Sequence, residues 1–169
     1  MLERYGVALK NKMSILSGDN IFYLKEVKWI SPKHHEEHDE VHTQAAVKHG
    51  TYPDHVHKML HHLKDKNNYH KAMKNAKSMT VSPVSVKKMS NTDAGSKPRP
   101  GVIDKEKSNR VKKQMSGSKP VTKPIVLHDK HTGHTHLLAG NTRLTHNTHH
   151  GTGNTPVHAI TYNSSKKEN

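Results

Sequence analysis

The sequence predicts an α+β fold, a small mixed sheet preceded by a helical N-terminal region, and three observations predict it. Apolar residues recur at helical spacing between residues 53 and 63, where Val56, Met59, Leu60 and Leu63 form one stripe. Residues 124–162 read as strand, tight turn, strand, glycine turn, helix and returning strand. Apolar residues make up only 30% of the 169-residue chain, with one Phe and one Trp, so a large core is not expected. Small ordered islands separated by lysine-rich connections fit that composition better.

Taken in order, residues 1–20 end in the turn cluster Ser17-Gly18-Asp19-Asn20. Over residues 21–30 the apolar positions 21, 24, 27 and 30 fit a helical face better than strict alternation, with a strand as the other option. Ser31-Pro32 then opens a helix expected over residues 33–48, since serine caps well and proline fits a first turn. The sequence Gly50-Thr51-Tyr52-Pro53 breaks it, and a second helix follows to about Leu63. A continuation through Tyr69 to Ala76 is expected, with Asn67-Asn68 as the point of interruption. Ala46, Gly50, Val56 and Met59 have helix-turn-helix spacing, in which case His55, His57, Lys58 and His62 would face a groove. His49 and Thr51 stand where that motif has apolar residues, and a generic helical hairpin explains the same pattern.

Residues 78–118 are rich in Ser, Thr, Pro and Lys, and residues 93–101 are the most linker-like part. Residues 79–86 could form a strand that Pro83 would confine to a sheet edge. Residues 103–114 read as a short helix carrying Arg110 and Lys112, either phosphate contacts or part of a solvated face. The expected division is a helical region over 1–77, a basic linker over 78–101, an α+β domain over 102–163 and a tail over 164–169.

Lys and Arg number 28 against 14 Asp and Glu, a formal charge of +14, which makes polyanions the natural partners. Nucleic acid is therefore expected as a partner, with Lys58, Arg110 and Lys112 as candidate contacts. Aromatics at 4% argue against a stacking platform for single strands. No apolar run reaches the length of a membrane span, and the N-terminus lacks the apolar core of a secretory signal, so a cytoplasmic setting without a membrane partner is expected. Without cysteine, disulfides and thiolate metal sites are excluded.

The most informative stretch runs from Lys123 to Leu144. A glycine turn at Gly140 opens a helix with Arg143 in its first turn, the geometry of a phosphate holder. Backbone amides and the positive end of the helix dipole gather above the turn, and a guanidinium adds a two-pronged donor. Gly140, Asn141, Thr142 and Arg143 are the candidate phosphate-binding residues. The alternative is a capped surface helix, with Asn141 as its N-cap and Gly151 as its end.

The order Pro124-Ile125-Val126, an acidic turn, Leu138-Ala139-Gly140-Asn141-Thr142-Arg143-Leu144, a helix and Pro156-Val157-His158-Ala159-Ile160 resembles the ParB/sulfiredoxin-like domain, over residues 119–162. That group includes the ParB-like nuclease domains of phage and plasmid proteins. The resemblance implies a nucleotide- or nucleic-acid-binding protein, with nuclease or nucleotide hydrolysis as an attendant activity. A nucleoside triphosphate and Mg²⁺ or Zn²⁺ would be the cofactors, and a bacterial host cytoplasm the setting if the source is a phage. Sulfiredoxins carry a catalytic cysteine after the glycine, where this chain has Asn141, so their thiol chemistry is excluded. CTP-hydrolysing ParB proteins typically carry Gly-Glu-Arg-Arg, and here Asn141 and Thr142 replace the Glu and the first Arg. Phosphate binding survives that comparison better than hydrolysis does. The competing class is a non-enzymatic basic DNA-binding or virion-associated protein.

Eighteen histidines complete the pattern. His34, His38 and His42 fall one turn apart on a helix face, a spacing that chelates Zn²⁺ when a carboxylate completes the site. His136 and His146 are the candidate catalytic residues, as acid/base groups or as ligands of a metal that activates water. The alternative is histidines scattered over a solvated surface.

Overall fold

The computed structural model describes residues 27–33, 43, 52–89, 105–117, 119–150 and 154–164. The fold is α+β, a four-stranded mixed sheet with helices on both faces. Strand β1 spans Trp29–Ile30, helices α1 and α2 span Asp54–His62 and Lys66–Asn75, strand β2 spans Lys77–Val81, and helix α3 spans Pro83–Lys87. After α4 at Lys105–Ser116 come β3 at Val121–Thr122, β4 at Ile125–Asp129, β5 at Thr135–Ala139, α5 at Asn141–His150 and β6 at Thr155–Tyr162. The sheet order is β2-β6-β4-β5, with β4 and β6 parallel and the outer pairs antiparallel. The two-residue strands β1 and β3 form a separate parallel pair.

Strands β4 and β6 are covered on both faces, and their sequences show it. Ile125, Val126 and Leu127 are all fully buried, and Val157, His158, Ala159 and Ile160 are buried in an unbroken run, whereas a half-exposed strand would alternate. On one face Ile125, Leu127, Leu138, Ala139 and Ile160 pack against Val56, Leu60 and Leu63 of the α1 region and Tyr69 and Met73 of α2. On the other, Val126, Leu137, Val157 and Ala159 pack against Val86 of α3 and Leu144 of α5, and α4 lies alongside α5. The apolar content suffices because every central residue serves one of two thin cores.

The helical hairpin forms as its stripes require, but its break falls earlier than Asn67-Asn68. Asp65 takes the N-cap position of α2 and accepts the Asn68 N–H at 3.0 Å, so Asn68 is a capping partner inside the helix. The expected strand over 79–86 also divides. It ends at Val81 because Ser82 caps α3, accepting the Ser85 N–H at 3.1 Å, with Pro83 in the first turn. Strand β2 is an edge strand, yet it is an integral part of the sheet, and Val81, Val86 and Met89 belong to a core. A linker beginning at residue 78 is therefore corrected, since residues 77–89 are folded. The boundary near residue 77 does not separate two cores either, because α1 and α2 share one with β4, β5 and β6.

Trp29 and Ile30, where the spacing favours a helical face and a strand is the other option, are hydrogen-bonded as a strand, with Val121 and Lys123 amides donating to the Lys28 and Ile30 carbonyls at 2.8 Å. The short helix expected over 103–114 is α4. The helix expected over 33–48, with His34, His38 and His42, lies outside the described residues apart from Lys33 and a helical, buried Thr43. Ala46 and Gly50 of the helix-turn-helix pattern lie outside them as well.

Candidate functional site

Strand β5 delivers the chain into α5 through a single residue, Gly140. Its φ of +91° is a conformation that side chains resist, and a Cβ there would stand 2.9 Å from the Pro124 Cα. Pro124 is itself fixed, because its carbonyl accepts the His158 N–H at 2.8 Å. Gly140 rather than Asn141 takes the cap position, its carbonyl accepting the Leu144 N–H at 2.9 Å. Asn141 is the first helical residue, and its Oδ1 accepts from the Thr145 hydroxyl at 3.2 Å. Arg143 folds back over the turn, its Nη2 only 3.0 Å from where a Gly140 Cβ would stand. Asn141, Thr142 and Arg143 are all half-buried. Glycine turn, helix N-terminus and guanidinium thus occur together, as the sequence predicts. Leu144, fully buried against the sheet, and the 2.8 Å bond from Asn147 Nδ2 to Thr155 Oγ1 hold α5 in place.

The two candidate catalytic histidines do not assemble around this turn. His146 lies on α5 itself and is half-buried. His136 sits on β5 opposite Leu127, on the sheet face covered by α1, whereas α5 covers the other face. It is also four residues back along an extended strand, about 13 Å from Gly140. A catalytic role for His136 beside Arg143 does not fit this geometry, because His136 faces the helical hairpin while α5 packs on the other side of the sheet.

A second polar cluster occupies the far end of the sheet, and sequence reasoning missed its centre, Asp129. This carboxylate exposes no surface and organises the β4–β5 turn. Oδ1 accepts the His131 amide at 3.0 Å and the Ser164 amide at 3.2 Å, and Oδ2 accepts the Thr132 hydroxyl at 2.9 Å. Gly133, with φ +73°, donates to the Asp129 carbonyl at 2.9 Å. Burial works against the Asp129 charge, but hydrogen bonds from Ser164, His131 and Thr132 outweigh it and hold the carboxyl well below the usual carboxylate range. The spacing Asp129-x-x-Thr132-Gly133 is the signal that could have found it, as an acidic residue folding a turn around its own side chain.

Two further polar side chains share that face. His136 is 4% exposed, and neither ring nitrogen has a hydrogen-bond partner among the described residues. Burial pushes its imidazole below the ordinary range, His55 and His134 push the same way, and Asp129 opposes them. The Tyr162 hydroxyl is buried without a partner among the described residues, and burial pushes it up to about 12, with the Asp129 charge adding to the effect. Among the described residues no group of three or more His, Asp or Glu could hold a metal ion.

The candidate nucleic-acid contacts lie in two places. Lys58 is exposed on α1, beside exposed His55, His57, His61 and His62, while Val56 and Leu60 face the sheet. Arg110 and Lys112 are exposed on α4, on the other side of the sheet. No described helix is long and apolar enough to cross a membrane. No protein-family model, curated protein or solved structure matches the chain.

Proposed function

We propose that the chain binds the phosphates of a nucleotide or a nucleic acid at the turn from Gly140 to Arg143. The single observation that carries this reading is the convergence of a side-chain-free backbone turn, the positive end of a ten-residue helix and a folded-back guanidinium. A phosphate oxygen above the turn would meet backbone N–H groups from below and the planar donor from the side. Asn141 and Thr142 would contribute backbone, since Asn141 Oδ1 is turned down the helix toward Thr145. The likeness of residues 138–144 to the ParB/sulfiredoxin motif supports the same site, and with it a nucleoside triphosphate, with Mg²⁺ or Zn²⁺, as the ligand. Exposed Lys58, Arg110 and Lys112, on a chain of charge +14, would add nonspecific attraction to a nucleic-acid backbone.

The second reading, a non-enzymatic DNA-binding or virion-associated protein, is favoured by one observation. His136 lies on the opposite face from α5, so of the two candidate catalytic histidines only His146 is on the helix of the phosphate turn. A nuclease or nucleotide hydrolase would have to work without His136 and without a carboxylate from the motif. The test is binding of labelled nucleotides and short DNA to wild type and Arg143→Ala, with and without Mg²⁺ or Zn²⁺, followed by analysis for cleaved products. Arg143-dependent binding supports the site, turnover makes it an enzyme, and binding that ignores Arg143 and disappears with salt removes it.

A further inference from the structure

The helical hairpin of α1 and α2 is attached to the sheet through an unusual contact. Tyr52, which precedes α1, is 6% exposed and donates its hydroxyl to the Leu137 carbonyl at 3.0 Å. Its ring meets the His136 ring edge-on, with centroids 6.0 Å apart, and meets His57 of α1 in the same way on another side. His136 is therefore sealed between the hairpin and the sheet, with both nitrogens lacking partners among the described residues. A buried polar group in that state is costly even when neutral.

We infer that His136 is an acid-sensitive lock, whose protonation releases the α1–α2 hairpin from the sheet. An imidazolium carries two N–H donors, and neither would find an acceptor without the hairpin moving. The groups facing His136 do not help. From α1 comes His55 and from the segment before β5 comes His134, and both oppose a positive charge on the imidazole. Asp129 on β4 is the opposing charge, but its two oxygens already accept from His131, Thr132 and Ser164. Tyr52 is committed to the Leu137 carbonyl, and Tyr162 of β6, next to Asp129 in register, is a neutral phenol.

The sign follows from the displacement of the folded imidazole below its ordinary range. Docking is complete above the unfolded-state value of about 6.5 and weakens as pH falls from there toward the folded value. Release would expose the face lined by Leu127, Leu138 and Ile160. This lock does not depend on the proposed phosphate site, which is at the N-terminus of α5, the helix that packs on the other face.

Amide hydrogen exchange, corrected for intrinsic rates, on wild type and His136→Phe at about pH 7.5 and about pH 5.5 tests the inference. Phenylalanine keeps the edge contact with Tyr52 and removes the titration. The expected result is that α1 amides of wild type lose protection on acidification, by up to about tenfold, while β6 amides do not, and that His136→Phe shows no such loss. Equal protection of α1 at both pH values in wild type, or the same loss in His136→Phe, overturns it. Should the variant fail to fold, nitrogen NMR of the wild-type imidazole decides: protonation of His136 with α1 amides still protected would overturn the lock, and protonation concurrent with their loss supports it.

Discussion

Substituting Gly140 by alanine tests the turn on which the proposed site is built. Two costs combine. The φ of +91° penalises any Cβ, and the new atom would stand 2.9 Å from the Pro124 Cα and 3.0 Å from its Cβ. The first cost is about 1–2 kcal/mol and the second, an overpacking against backbone, about 1–3 kcal/mol. The Pro124 backbone cannot retreat freely, because its carbonyl holds the His158 amide at 2.8 Å. Gly133→Ala is the internal control, with φ +73° and nothing within 4 Å of a built Cβ, so it bears the first cost alone. Urea unfolding of the two variants and wild type should place Gly140→Ala below Gly133→Ala by about 1–3 kcal/mol. Equal destabilisation of the two would refute the close approach of the turn to Pro124.

Three other substitutions probe the packing around the two sites. Leu144→Ala removes a fully buried side chain that seats α5 on the sheet and should cost about 2–5 kcal/mol in urea unfolding; a loss under about 1 kcal/mol would contradict that seating. Tyr52→Phe deletes the hydroxyl that donates to Leu137 and should cost about 1 kcal/mol, with the loss of protection greatest in α1 by hydrogen exchange. Asp129→Asn puts donors where the turn supplies donors and should cost about 2–3 kcal/mol at neutral pH. Because the folded carboxyl lies below its unfolded value, its stabilisation is present above about pH 4 and fades as pH falls further, so the gap between the two proteins should narrow in acid.

Much of the fold was legible because its periodicities are local. The stripe of Val56, Leu60 and Leu63 announces α1, and the glycine turn at Gly140 marks the passage from β5 into α5. What failed depends on the tertiary setting. Strand β2 hides in a polar stretch because an edge strand needs few apolar residues, and only Val81 of its five is buried. Its end at Ser82-Pro83 follows the same capping rule applied to Ser31-Pro32, so that signal is present in the sequence. The division into helical region, linker and domain failed because sequence shows that α1 has an apolar face but not what covers it. At the candidate site, Gly140 and Arg143 come together because they are neighbours in one turn. His136 does not join them, since strand alternation and the sheet's two faces decide where it points, and β5 also has Leu138 as an extra residue between the pairs Ile125 with Ala139 and Val126 with Leu137.

The most direct measurement of the central claim is the affinity of wild type and Arg143→Ala for a panel of labelled nucleoside triphosphates and short DNA, titrated at several salt concentrations. The account predicts that Arg143→Ala loses about tenfold to a hundredfold in affinity for the phosphate ligand, the worth of one charge-assisted hydrogen-bonding group. Bulk DNA attraction at low salt should barely change, since the charge of +14 is spread over the chain. Identical affinities for every ligand, all vanishing together as salt rises, would contradict a phosphate site at Gly140 to Arg143.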